Sequence, residues 1–340
     1  MNSDMKVNNK KEKNFGIALL RVILAFMVVV DHFYDSKKKN LLILYYHIPT
    51  FFLISFFYTH NYFQTFNIEK IKLRFERLVI PYFFWSLIAF IKNNIHYFLF
   101  KRECRHSIYI FLEHLLNGHI FIVALWFQNI LVFTTLIISI FVLAFKKEYL
   151  LIFQILMLFC YKFQYSGENY RFFKNNFSIH YRLTYGRFLE SFPNSLTGFF
   201  IAAFHFQNRL KIYKFRTIIS SVIILIIITK YHSMDHLLGF KYGGLRRNTA
   251  AVLIFFIFYF TFDEIRNQKM VKLLEVITNY TPGIYFIHNI IGNGYFFLFI
   301  IGNKIRTLFG CIILYLFSYI ICFILDKLTG NKRILKHLIK

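Results

Sequence analysis

The sequence predicts an all-α, polytopic integral membrane bundle of about ten transmembrane helices. Three observations lead there. Apolar runs of about 17–20 residues recur from one end of the chain to the other, which is the length a helix needs to cross a bilayer. The 340 residues are 57% hydrophobic and 17% charged, with 47 Phe and 23 Tyr, whereas a soluble domain holds about 25% charged residues. The runs are continuous rather than alternating at every second residue. That selects helices over a barrel, because each helix satisfies its own backbone hydrogen bonds in lipid.

The runs lie near residues 15–34, 41–59, 78–98, 122–145, 149–164, 188–206, 216–231, 248–263, 282–302 and 306–326. Residues 1–14 are polar and basic. Arg21 interrupts the run behind them and no small-residue cleavage site follows, so the first run reads as a retained span rather than a signal peptide. The fifth, seventh and eighth runs are short. Ser107 to Ile120 is amphipathic and reads as interfacial. No internal repeat, linker or soluble domain divides the chain. Residues 1–340 therefore read as one transmembrane domain, closed by a basic cytoplasmic segment at 327–340.

Orientation follows from Lys and Arg between the runs. A modest excess falls on the cytoplasmic side when both termini are inside. Lys6 to Lys13, Lys70 to Arg77, Arg209 to Arg216 and Lys327 to Lys340 support that orientation, and Lys37, Lys38 and Lys39 oppose it. The formal net charge of +25 is explained by this topology and by anionic lipid headgroups, with no nucleic acid partner; an anionic substrate is the other use for part of it. Cys104, Cys160, Cys311 and Cys322 have no metal-ligand spacing and read as small hydrophobes. His114 and His119 are five apart, so no metal site is expected. No phosphate-binding glycine loop or dinucleotide motif is present, which leaves ATP hydrolysis and dinucleotide chemistry unsupported.

The candidate functional residues begin inside the first run. A charged side chain within a span costs about 2.5–3.5 kcal/mol on insertion scales, so it is rarely placed there without use. Arg21 and His32 are eleven residues apart, about three helical turns. They fall roughly 20° apart around the axis and about 16 Å apart along it. Asp35 follows His32 by three residues and shares its face, while Asp31 points elsewhere. A carboxylate-held imidazole is a competent general base near neutral pH. The bland alternative is that Arg21 snorkels to one interface and His32 sits at the other.

Arg74 and Arg77 are three apart at the start of the third run. Paired guanidiniums suit a phosphate or pyrophosphate at the cytoplasmic mouth; they also serve as an ordinary positive-inside flank, with Glu76 between them. Tyr285 and His288 share a face of the ninth run, either lining an acceptor path or bonding a neighbouring helix. Trp126 opens the fourth run, where an interfacial belt is the alternative to an acceptor-path role. Glu190 in the sixth run reads as the partner of Arg187. Asp235 and His236 lie in an outer loop that either touches a glycan or is simply solvated.

These segments resemble the membrane acyltransferase-3 family, whose members O-acylate bacterial glycans. Arg21 and His32 match its Arg-x10-His in the first span, and Arg74 and Arg77 its Arg-x-x-Arg before the third. Pro49-Thr50-Phe51-Phe52-Leu53-Ile54-Ser55 is similar to its Pro-x-Phe-Phe-x-x-Ser-Gly segment. Arg77 to Trp85 is similar to its Arg-x-x-x-Pro-Tyr-x-x-Trp. Leu125-Trp126-Phe127 matches its Leu-Trp-Phe, and Tyr280 to His288 its Tyr-Thr-x-Gly-Ile-Tyr-x-x-His. The segments occur in the family's order over most of the chain. Two positions depart: Phe56 replaces the Gly after Ser55, which bears on pocket shape and on acyl-chain or acceptor preference, and Pro282 falls where a small residue is commoner.

The resemblance implies an acyl-CoA donor, often acetyl-CoA, delivered from the cytoplasm, with no bound cofactor. It implies a glycan or lipid-linked saccharide hydroxyl as acceptor and a bacterial cytoplasmic membrane as location. On that basis Arg21, Arg74 and Arg77 hold the donor. His32, oriented by Asp35, acts on the acceptor hydroxyl or transiently carries the acyl group. Trp126, Tyr285 and His288 line the acceptor path. A glycan exporter or other transporter is the second class that intramembrane charges admit, but the two halves show no matching broken helices.

Overall fold

The computed structural model describes residues 14–34, 46–65, 67–101, 107–117, 125–144, 179–230, 244–263, 265, 267–292 and 307–329, with 149, 152 and 155 as single positions. The described residues form helices and no strand. In chain order these are α1 (Phe15–Phe33), α2 (His47–Gln64), α3 (Ile68–Lys101), α4 (Ile108–Asn117), α5 (Trp126–Ala144), α6 (Ile179–Ala203), α7 (Phe206–Lys211), α8 (Lys214–Lys230), α9 (Gly244–Thr261), α10 (Gln268–Asn279), α11 (Thr281–Gly292) and α12 (Leu308–Thr329). The fifth apolar run, 149–164, lies outside the described residues apart from those single positions.

Among the described residues, three helices are long and apolar enough to cross a membrane: Phe15–Phe33, Phe127–Ala144 and Leu308–Leu328. The distribution of side chains agrees. Val79, Phe83, Leu87, Ile91 and Ile95 form an exposed stripe at four-residue spacing along α3, and Ile312, Leu316, Ile320 and Ile324 form another along α12. Polar groups are turned inward, among them Arg74, Gln128, Asn129, Thr134, Thr135, Asn194 and Ser195. An apolar outside around a polar inside is the arrangement lipid favours.

Local chemistry sets the ends of the elements. Asn14 caps α1: its side chain accepts from the Ile17 amide at 3.1 Å and donates to the Tyr259 carbonyl at 3.0 Å. Such a cap is worth about 1 kcal/mol. Pro282 is the second residue of α11, within the first turn, where a missing amide hydrogen costs little. The departure from the family pattern at this position is thus a helix-start signal. α10 was absent from the pattern of apolar runs because it is amphipathic rather than apolar throughout. It packs on α1 and leads through Tyr280 into α11.

Close approaches rest on two glycines. A Cβ at Gly198 would overlap the Leu53 carbonyl, and one at Gly16 would overlap the Phe258 carbonyl. These absences let α6 lie directly on α2 and the start of α1 on the end of α9. α4 matches the amphipathic stretch expected at 107–120; Phe111 packs on Phe83 and Phe90 of α3. Cys311 and Cys322 are buried and unbridged, as small hydrophobes would be, whereas Cys104 and Cys160 lie outside the described residues.

The contacts fix relative directions. Arg21 meets Thr281 and His32 meets His288, so α1 and α11 run the same way. Trp85 stacks on Phe286 and Lys92 bonds the Ile290 carbonyl, which adds α3 to that set. His47 lies beside Asp31 and Gln64 beside Ala203, so α2 opposes α1 and is parallel to α6. Gln128 meets Leu78 and Thr135 meets Arg74, so α5 opposes α3. Tyr280 meets Asp326, while Gly292 lies against Leu314, so α12 opposes α11. Asn14, Gln64, Arg74, Lys211 and Asp263 consequently gather at one end of the bundle, and His32, His47 and Lys92 at the other.

Candidate active site

A cavity of about 330 Å³ opens where α1, α2, α3, α5 and α11 meet. Arg21, Arg74 and Arg77 all line it, with Ser55, Tyr58 and Gln128 as uncharged polar neighbours and Phe51, Phe127 and Tyr285 among its aromatic walls. No carboxylate is among the described lining residues. Arginines from α1 and α3, far apart in sequence, thus line one chamber.

Arg74 and Arg21 are held by neutral groups. Arg74 is buried. Its Nε donates to Thr135 Oγ1 at 3.0 Å and its Nη2 to Ser55 Oγ at 3.0 Å. The guanidinium carbon lies 4.6 Å from the centre of the Phe56 ring. Arg21 Nη2 donates to the Thr278 carbonyl at 3.4 Å and to Thr281 Oγ1 at 3.3 Å. The Thr278 carbonyl belongs to the last turn of α10, the negative end of its dipole, which suits a cation. Hydroxyls and carbonyls fix the guanidiniums in place without cancelling their charge. A partly buried positive cluster with no carboxylate among the described lining residues is a site for an anion. Arg77 is exposed and lies at the rim of the same chamber.

Pro81 sits inside α3 and has no amide hydrogen for the Arg77 carbonyl. The next carbonyl, Leu78, accepts from Gln128 Nε2 at 3.2 Å. The break in the ladder therefore falls on the cavity wall and is stitched to α5.

The imidazoles form a second cluster. The rings of His32 and His288 are 5.3 Å apart, with Phe33 edge-on to His288 at 6.2 Å. His288 is fully buried. Its Nδ1 lies 2.8 Å from the Ile284 carbonyl, and a carbonyl only accepts, so Nδ1 carries the hydrogen. Nε2 is then a lone-pair acceptor, and it is buried with no hydrogen-bond partner among the described residues. Tyr285 joins the two clusters: it lines the cavity, its ring is 5.1 Å from Phe127, and it is 6.2 Å from the His288 ring. His32 and His288 themselves stand beyond this aromatic layer rather than in the cavity lining.

Among the sequence candidates, Arg21, Arg74, Arg77 and Tyr285 are therefore brought to one chamber, and His32 and His288 to an adjoining pair. Arg21 and His32 both turn toward α11 and its lead-in. Asp35 lies outside the described residues, as does the side chain of Trp126, whose backbone opens α5. The side chains of Arg187 and Glu190, and the loop holding Asp235 and His236, also lie outside them. Asp31 lies 3.9 Å from His47 of α2. Phe56 does not line the cavity; it is buried beneath Arg74.

Several contributors were missed by sequence reasoning: Ser55, Tyr58, Gln128, Thr135, Thr278 and Thr281. Their common signal is a hydroxyl or amide inside or beside an apolar run, which membrane helices place inward. That signal marks an interior face without saying which arginine it serves.

The chain matches the acyltransferase domain model of acyltransferase family 3 over residues 14–327. Neither a curated protein nor a solved structure matches it. The matched stretch runs from the α1 cap to the last turn of α12, so it takes in the whole cationic cavity and both imidazoles. With that extent of match and helices built to cross a bilayer, the chain belongs to the acyltransferase-3 family and is a membrane acyltransferase.

Proposed function

We propose that the protein moves an acyl group, acetyl in the first instance, from cytoplasmic acyl-CoA to a hydroxyl of a cell-surface glycan or its lipid-linked precursor, in the bacterial cytoplasmic membrane. The observation that carries this reading is the cationic cavity of Arg21, Arg74 and Arg77, separated by Tyr285 from the His32–His288 pair. An acyl-CoA has the same two parts, phosphates at one end and a thioester at the tip of a long arm. The rise of about 16 Å along α1 from Arg21 to His32 is of the same order as that arm.

The chemistry follows from the residues. Arg21, Arg74 and Arg77 hold the phosphates, and the pantetheine arm threads past Tyr285. His32 removes the proton from the acceptor hydroxyl as its oxygen attacks the thioester carbonyl. The C–O bond forms, the C–S bond breaks, and the departing thiolate takes the proton from the imidazolium. His288, held with its Nε2 lone pair toward a dry interior, supplies a fixed acceptor beside this exchange. Asp35 is assigned the orienting role on His32.

The end of the bundle bearing Asn14, Arg74 and Lys211 is taken as cytoplasmic, which places His32 near the outer face. The shared direction of α1, α3 and α11 supports ten spans with both termini inside, since these are the first, third and ninth. Membranes containing the protein, given acetyl-CoA labelled in the acetyl group and a glycan acceptor, should place label on the glycan. Movement of unmodified glycan without label transfer would instead indicate an exporter.

A further inference from the structure

Lys70, Arg74 and Arg77 recur at four- and three-residue spacing on α3, so they share one helical face. A second cavity of about 120 Å³ lies on that face against the larger one. The two have Thr59 of α2 and Arg74, Arg77 and Leu78 of α3 in common, so they adjoin across a shared wall. Lys70 and Tyr62 line only the smaller chamber. The Lys70 ammonium lies 5.7 Å from the centre of the Tyr62 ring, a cation–π contact that keeps it over the chamber. Arg74, clamped by Ser55, Thr135 and the Phe56 ring, is a rigid partition. No carboxylate is among the described lining residues of either chamber; Glu69 and Glu76 stand on the same helix outside both linings.

The smaller chamber suits a single tetrahedral anion and is too small for a nucleoside. Its groups are a lysine, two arginines, and the hydroxyls of Thr59 and Tyr62. The lysine, the arginines and the Tyr62 hydroxyl are the donors that a phosphate monoester takes, while the Thr59 hydroxyl donates to the Ser55 carbonyl at 2.8 Å. We propose that it is a phosphate-monoester subsite in which Lys70 and Arg77 grip a phosphate standing apart from the one in the larger cavity. Resting on the acyl-CoA reading above, this is the ribose 3′-phosphate of the donor, which lies at a distance from the pyrophosphate. The subsite makes the enzyme selective for CoA over nucleotides and thioesters that lack the isolated phosphate. The same chemistry would also fit an anionic lipid headgroup, and the experiment separates the two sources.

The full chain, in nanodiscs of zwitterionic phosphatidylcholine, is titrated with CoA and with 3′-dephospho-CoA. Wild type is expected to bind CoA at least about tenfold more tightly, as befits charge-assisted bonds to one phosphate. Lys70 is exposed, so Lys70→Met should keep the fold. It is expected to lower CoA affinity to the dephospho-CoA level while leaving dephospho-CoA affinity unchanged, which also controls for folding. Equal affinities in wild type, or equal weakening of both ligands in Lys70→Met, would overturn the subsite and leave the acyl-CoA reading intact. An effect of Lys70→Met confined to nanodiscs with anionic phosphatidylglycerol would assign the chamber to lipid and overturn it likewise. Failure of wild type to bind either ligand would remove the acyl-CoA reading itself.

Discussion

The cationic cavity and the imidazole pair sit at two levels of the same helices and are built in opposite ways. At the Arg21 level, long charged side chains are anchored to hydroxyls and carbonyls around an open chamber. At the His32 level, two rings lie against Phe33 and Tyr285, and one buried nitrogen has no hydrogen-bond partner among the described residues. The first region holds charge around an open chamber that can admit a ligand. The second keeps a lone pair desolvated, where proton transfer to or from a hydroxyl is most sensitive to position. Binding and chemistry are thereby separated along the bundle axis, with Tyr285 at the boundary.

The largest expected effect tests the chemical end of that division. His32→Ala should lower acyl transfer by about 10²–10⁴-fold while changing CoA affinity by less than about twofold. If affinity fell in step with turnover, the two regions would not be separate. His288→Asn keeps a donor for the Ile284 carbonyl but loses the Nε2 acceptor, and should lower kcat by about tenfold with donor KM unchanged.

Next in size is the binding end. Arg74→Ala should raise donor KM by about 10–100-fold with a much smaller change in kcat at saturating donor. Arg74→Lys should rescue little, because an ammonium cannot bridge Ser55 and Thr135 as the planar guanidinium does. Full rescue by lysine would mean that charge alone, and not the clamp, matters.

The smallest effect concerns Phe56. A desolvated cation–π contact is worth about 2 kcal/mol, part of which the other Arg74 bonds retain. Phe56→Leu should therefore raise donor KM by about three- to tenfold, with acyl-chain and acceptor preference unaltered. A changed preference with unchanged donor KM would return Phe56 to the pocket-shaping role that its place after Ser55 suggested. A flat aromatic in place of the family's glycine has a plain physical use here: it backs a guanidinium that has no carboxylate among the lining residues.

Much was legible before any coordinates. Run lengths and composition determine helices that cross a bilayer, because lipid forbids unsatisfied backbone. Spacing alone puts Arg21 and His32 on one face of α1, and Lys70, Arg74 and Arg77 on one face of α3, since helical periodicity is a local property. The individual roles of Ser55, Thr135 and Phe56 were not legible. Each is an ordinary residue until a distant helix brings Arg74 beside it, and nothing local encodes that meeting. Nor could the sequence place His288 against His32, across more than two hundred intervening residues. α10 escaped notice for a different reason: its face is apolar only on one side, so a search for continuous apolar runs passes over it. The chain by itself thus determined the elements and the faces of its charged residues. Only the tertiary structure decided which faces meet, because packing across long sequence distances depends on small residues such as Gly16 and Gly198 and on the total fit of neighbouring surfaces.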